Sequence, residues 1–164
     1  MLKYITFDSQ ASLNLKWDSV KQEKGSYILL IALDRDATIT VGKLGIFSFP
    51  PGYYLYAGSA LGGLTSRINR HLRCDKKLHW HIDYLLAHSA VIEVWCVSLE
   101  DRLECLFAEA ALLLPKVQVP VKGFGSSDCR CPSHLFYQPE RPTIVDFQAA
   151  LDQISLCRTP LAHF

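Results

Sequence analysis

Gly25-Ser26-Tyr27-Ile28-Leu29-Leu30-Ile31 is apolar on both faces of an extended chain, as a central strand buried on each side would be. A second such run, Tyr53-Tyr54-Leu55-Tyr56-Ala57-Gly58, breaks at its glycine, and the small residues Ser59-Ala60-Leu61-Gly62-Gly63 follow. A helix then opens in which Leu64, Ile68 and Leu72 repeat at i, i+4 and i+8 as a buried stripe. Arg67 and His71, also four apart, fall on one side of that helix at the border of the stripe. Two strands and a helix thus bring together two phenols (Tyr27, Tyr56), a guanidinium and an imidazole. That set suits chemistry on a phosphodiester.

Outward from this centre, Asp34-Arg35-Asp36 reads as a turn, and Thr38 to Val41 with Ile46 to Phe49 reads as a hairpin around Gly42-Lys43-Leu44-Gly45. Trp80 to Ala87 forms a second helix, and the alternation from Val91 to Val97 a further strand. Asp101 to Leu114 is a third helix, stopped by Pro115. The order defines a small mixed α/β (α+β) domain with a three-stranded central sheet, flanking helices and an added hairpin.

Composition bounds the function. At 164 residues and 49% apolar content, one domain can bury an adequate core. No stretch approaches the roughly 18 apolar residues of a membrane span, and Met1 to Gln10 lacks the basic-then-apolar order of a secretory signal. Six irregularly spaced cysteines in so apolar a chain point to a reduced, cytoplasmic protein. The net charge of +1 argues against indiscriminate coating of nucleic acid. Its distribution is more telling: Arg67, Arg70, Arg73, Lys76 and Lys77 are opposed only by Asp75 between Arg67 and His81, a patch able to attract a polyanion.

With these elements placed, the chain resembles the GIY-YIG nuclease superfamily. Gly25-Ser26-Tyr27 stands for the first signature tripeptide and Tyr56-Ala57-Gly58 for the second. Arg67 follows at about the spacing of the superfamily's helix arginine, and His71 lies one turn on. More closely, the chain is similar to an uncharacterised allied branch, some members of which are fused to glycosylases of the endonuclease III type. Val41 to Gly45, Tyr56 to Ala60, Arg70 to Tyr84, Glu104-Cys105 and Phe124 to Cys129 carry that likeness. It covers about residues 25–137, leaving 1–24 as an N-terminal extension and 138–164 as a partly helical C-terminal extension packed on the same domain.

The resemblance implies a mostly antiparallel sheet and a DNA endonuclease-like activity dependent on Mg2+ or Mn2+. Tyr27 and Tyr56 would bind and activate the attacking water, and Arg67 would hold a phosphate through two donors. His71 would orient the nucleophile or protonate the leaving oxygen near pH 7. Because a phenol is a poor base at neutral pH, either a nearby cation favours the phenolate or metal-bound water supplies the base. The metal ligand is expected on the third helix, where Glu104 and Glu109 are the candidates and Glu104 is preferred. Arg70, Arg73, Lys76 and Lys77 would grip the DNA backbone. A nucleic-acid-binding module without efficient cleavage, or an accessory of a repair protein, are the alternative functions.

Four features stand apart from this pattern. Ser26 and Ala57 replace the middle isoleucines at positions facing away from the tyrosines. The superfamily's late asparagine is not identifiable, and Asp128 is only a candidate substitute for it. His79-Trp80-His81-Ile82-Asp83 can either line the site or serve capping and packing. Cys129-Arg130-Cys131 with His134 offers two thiolates and one imidazole, one ligand short of a tetrahedral zinc site. The segment from Phe124 to His134 is therefore read as a loop folded against the catalytic face, with Asp128 in local hydrogen bonds and the cysteines reduced and metal-free.

Overall fold

A computed structural model describes residues 3–6 and 23–158. In chain order the elements are β1 (Lys3–Thr6), β2 (Gly25–Leu33), β3 (Ala37–Val41), β4 (Gly45–Phe49), β5 (Gly52–Ala60), α1 (Leu64–Leu72), α2 (His81–Leu86), β6 (Ala90–Ser98), α3 (Glu104–Leu112), β7 (Leu135–Gln138) and α4 (Ile144–Arg158). The fold is α+β. Its antiparallel sheet runs β1-β6-β2-β5-β7, and β3-β4 forms a separate hairpin. The three expected strands are the centre of that sheet, and β1 and β7 widen it at both edges. Residues 1–2, 7–22 and 159–164 of the two sequence-defined extensions lie outside the described residues.

Because β2 is central, both its faces are buried, which explains its unbroken apolar run. Odd and even positions feed two different cores. Tyr27, Leu29 and Ile31 pack with Ile39 and Phe49 of the hairpin, Leu64 and Ile68 of α1, and Ile82 and Leu85 of α2. Ile28 and Leu30 pack on the other face with Trp95, with Phe107 and Ala111 of α3, and with Phe147 and Leu151 of α4. Each fully buried aliphatic or aromatic side chain here contributes about 1.5–3 kcal/mol. Among the described residues no helix is long and apolar enough to cross a membrane.

Two local expectations change. The strand does not break at Gly58; β5 continues through Ala60. Gly58 pairs with Tyr27 across the sheet, and a Cβ there would lie 2.5 Å from the Tyr27 hydroxyl. The glycine therefore makes room for the phenol rather than for a turn. In α1 the buried side chains are Leu64, Ile68 and His71, with Leu72 only half-buried. His71 sits inside the core, not at the border of the stripe.

Candidate active site and a neighbouring cysteine–histidine cluster

A cavity of about 420 Å³ opens at the end of the sheet where β2, β5, α1, α3 and residues 125–134 meet. Tyr27, Tyr56, Arg67 and Glu104 all line it, together with His79, Trp80, His81, Asp128 and His134. A larger recess of about 680 Å³ lies between residues 32–38 and 86–90 and is lined by Arg73 and Lys76, but by none of the expected catalytic side chains. The first cavity is the candidate site because it gathers the reactive groups.

On the α1 side, the Tyr27 hydroxyl and His71 Nε2 are 2.7 Å apart in a buried hydrogen bond. His71 Nδ1 is buried with no hydrogen-bond partner. Burial, with the charges of Lys76, Arg67 and Arg70 overcoming the pull of Asp83, brings His71 down to about 3. Burial thus favours the neutral ring, which suits the expected role of orienting the nucleophile better than that of protonating a leaving oxygen. Burial and the Tyr56 phenol push Tyr27 well up against the opposing Arg67, and burial likewise pushes Tyr56 up. The cation therefore does not win a phenolate at either tyrosine, and both phenols remain proton donors.

Arg67 lines the cavity with its guanidinium carbon 4.3 Å from the Trp80 ring centroid. Arg70, 3.9 Å from the same ring, is committed elsewhere. Its two terminal nitrogens donate to both oxygens of the fully buried Asp83 at 3.0 and 2.9 Å. Asp83 also accepts the backbone N–H groups of His79 and Trp80. Against the burial that would raise it, Arg70 and these two donors hold Asp83 down to about 2. Lys76 donates to the His71 carbonyl and lies 4.0 Å from Asp83. Of the expected DNA-gripping residues, only Arg73 and Lys77 are exposed. His79 to Asp83 thus does both things considered for it: the acid orders the start of α2 while His79, Trp80 and His81 line the cavity.

On the α3 side, Glu104 is buried at 8% exposure and its carboxylate lines the cavity, whereas Glu109 is exposed. Ser59 Oγ donates to Glu104 Oε2, and Arg102 Nε lies 3.0 Å from Glu104 Oε1. Ser26 Oγ accepts the Leu103 N–H at 2.9 Å and stands 2.8 Å from Ser59 Oγ. With the Ser59 proton on Glu104, Ser26 must donate to Ser59. The serine that departs from the signature tripeptide thereby begins a hydroxyl chain that orients the carboxylate. Ser59 and Arg102 were not singled out from the sequence, since a lone serine or arginine carries no spacing signal. The traces of Ser59 were its place in the Tyr56 to Ala60 stretch and its pairing with Ser26 in adjacent strands.

Residues 123–134 fold back over the cleft as expected. Phe124 is fully buried against Tyr56 and His81, and the Gly125 N–H donates to His81 Nδ1 at 3.1 Å. That bond leaves Nε2–H as the donor of the neutral His81 ring, which burial pulls below its ordinary value. Among the described residues the Asp128 carboxylate makes no local hydrogen bond; it faces Arg102 at 3.4 Å. The ligand count at this loop is also corrected. Cys105, on the first turn of α3, joins Cys129, Cys131 and His134, with all four ligand atoms within 4.8 Å of one another. This Cys3His cluster could bind a metal such as zinc. Burial above all pushes the Cys105 and Cys131 thiols up.

The fold and site define an α+β domain with a polar cleft built across the end of an antiparallel sheet. The domain of unknown function DUF123 matches residues 26–155, and the chain belongs to that family. No curated protein and no solved structure matches the chain.

Proposed function

We propose that this cleft binds nucleic acid, DNA foremost, and hydrolyses a phosphodiester bond with the help of a divalent cation. The observation that carries the reading is the convergence of Tyr27, Tyr56, Arg67 and Glu104 on one cavity, from two strands and two helices. Arg67 holds the phosphate and offsets its developing charge. The phenols of Tyr27 and Tyr56 donate to the attacking water or to a phosphoryl oxygen and orient it. His71, neutral and buried, fixes the Tyr27 hydroxyl rather than moving a proton to the leaving group.

The donor set fits Mg2+ or Mn2+ held at Glu104: one buried carboxylate facing a cavity of about 420 Å³, with room for several waters, is what a hard cation that keeps its waters uses. Such an ion, when bound, lowers the pKa of its water and neutralises phosphoryl charge. The hydroxyl chain from Ser26 through Ser59 would hold the Glu104 oxygen in place. We place this activity in DNA repair or processing, alone or beside a repair protein.

The raised phenols favour a second reading, a module that binds nucleic acid and cleaves it weakly. Supercoiled plasmid incubated with the protein and magnesium or manganese separates the two. Nicking that Glu104→Gln abolishes supports the hydrolase. Binding without nicking selects the weak module, and neither binding nor nicking removes both.

A further inference from the structure

We propose that Cys105, Cys129, Cys131 and His134 form a closed structural zinc site that staples the two walls of the cleft together. Three sulfurs and one imidazole nitrogen make a complete tetrahedral set with no position left for substrate, the donor pattern of structural rather than catalytic zinc. Bond lengths of about 2.3 Å to sulfur and 2.0 Å to nitrogen place tetrahedral ligand atoms roughly 3.5–3.8 Å apart. The Cys129 sulfur and His134 Nε2 are already 3.3 Å apart, and no pair in the cluster exceeds 4.8 Å. Closure therefore needs about 1 Å of side-chain adjustment. Soft thiolates select zinc over the hard cations suited to a carboxylate.

The frame around the ligands is rigid. His134 is buried; its N–H donates to the Phe124 carbonyl, and its carbonyl accepts from Ala57 of β5. The Cys129 N–H donates to the Ser126 carbonyl, and the Gly123 N–H to the Pro132 carbonyl. Cys105 comes from a different element, so the metal closes a long loop of chain and not merely a local turn. Its neighbour Glu104 and the neighbour of Cys129, Asp128, both line the cleft. The zinc holds α3 and residues 125–134 at a fixed separation across that cleft. This inference does not rest on hydrolysis, because its test reads metal and thiols.

Protein purified from cells grown without added metal should contain one zinc per chain by elemental analysis. Peptide-resolved alkylation of the wild type should find Cys105, Cys129 and Cys131 protected until a strong chelator is added, while the exposed Cys74 reacts throughout. Cobalt exchanged into the wild type should show the intense visible bands of a tetrahedral thiolate site. Cys131→Ser should lose zinc, whereas Cys74→Ser keeps it. The wild-type measurements stand even where Cys131→Ser fails to fold. Wild-type protein that holds no zinc and takes up no cobalt overturns the proposal. So does zinc that leaves all three thiols as reactive as Cys74, or stoichiometric iron in its place.

Discussion

Arg67 and Arg70 lie three residues apart on α1 and rest against the same indole, yet they belong to different parts of the molecule. Arg70 faces α2, where a buried carboxylate takes both of its terminal nitrogens. Arg67 faces the cleft and makes no ion pair among the described residues. One arginine is part of the scaffold; the other is available to a ligand. The difference teaches that a cluster of positive residues in sequence is not a cluster of available charge. What decides availability is whether an acid from another element has already claimed the donor.

The sharpest way to break this contrast is to remove the claimed charge. Arg70→Ala leaves Asp83 fully buried with Lys76 at 4.0 Å as the nearest remaining cation. Breaking one partner of a buried ion pair costs about 3–5 kcal/mol of stability. Chemical denaturation of Arg70→Ala should show a loss of that size, and a loss below about 1 kcal/mol would make Arg70 a surface residue after all. Arg67→Ala should do the opposite. Its melting temperature should stay near wild type, while any nicking activity falls by about 10²–10³, the ~3–4 kcal/mol typical of losing a preorganised charge stabiliser. Equal nicking by Arg67→Ala and wild type would remove the guanidinium from the site.

A third comparison concerns the histidine between these two regions. His71 falls from an ordinary value near 6.5 to about 3 because folding buries it neutral. Between those values the unfolded chain binds a proton that the folded chain does not. Stability is therefore complete above about pH 6.5 and is lost as pH falls, by up to about 1.4 kcal/mol per unit. His71→Gln keeps a hydrogen-bonding partner for Tyr27 but cannot titrate. Unfolding free energies of the two proteins at pH 7, 6 and 5 should diverge in slope, with the wild type steeper. Parallel curves would show that His71 reaches water.

The central strands were legible because burial on both faces writes an unbroken apolar run into β2, and the hairpin because glycines punctuate two short alternating segments. The edge strands were not: β7 is four residues long, and its pairing with β5 is set by residues far apart in the chain. Within the site, Tyr27, Tyr56, Arg67 and Glu104 could be found from order and spacing, and the structure brings them to one cavity. Arg70 and Lys76 misled, because Asp83 lies on another helix and a sequence gives no sign of who pairs with whom. The cysteine cluster was hidden for the same reason. Cys129, Cys131 and His134 are local, but the fourth ligand comes from α3. Protonation was the least legible property, since the state of His71 is fixed by burial, and its neighbour in the sequence, Arg70, says nothing of that.

The smallest effect tests what remains of the basic patch. Arg73 and Lys77 are exposed, while Arg70 and Lys76 are already bonded within the protein. If these two contact the DNA backbone, each releases about one counterion on binding, and each substitution by alanine should lower the slope of log affinity against log salt by about one unit. The change should be the same for unrelated DNA sequences, because phosphate contacts position without specifying bases. Their stability should hardly move, since exposed cations away from buried networks usually change it by no more than about 0.5 kcal/mol. The control lies in Lys76→Ala, whose ammonium is engaged by the His71 carbonyl and Asp83; it should disturb stability more than the salt slope. Were Lys76→Ala to change the slope as much as Arg73→Ala and Lys77→Ala, binding would pull the lysine out of its internal bonds. The division between scaffold cations and available cations would then fail at that residue.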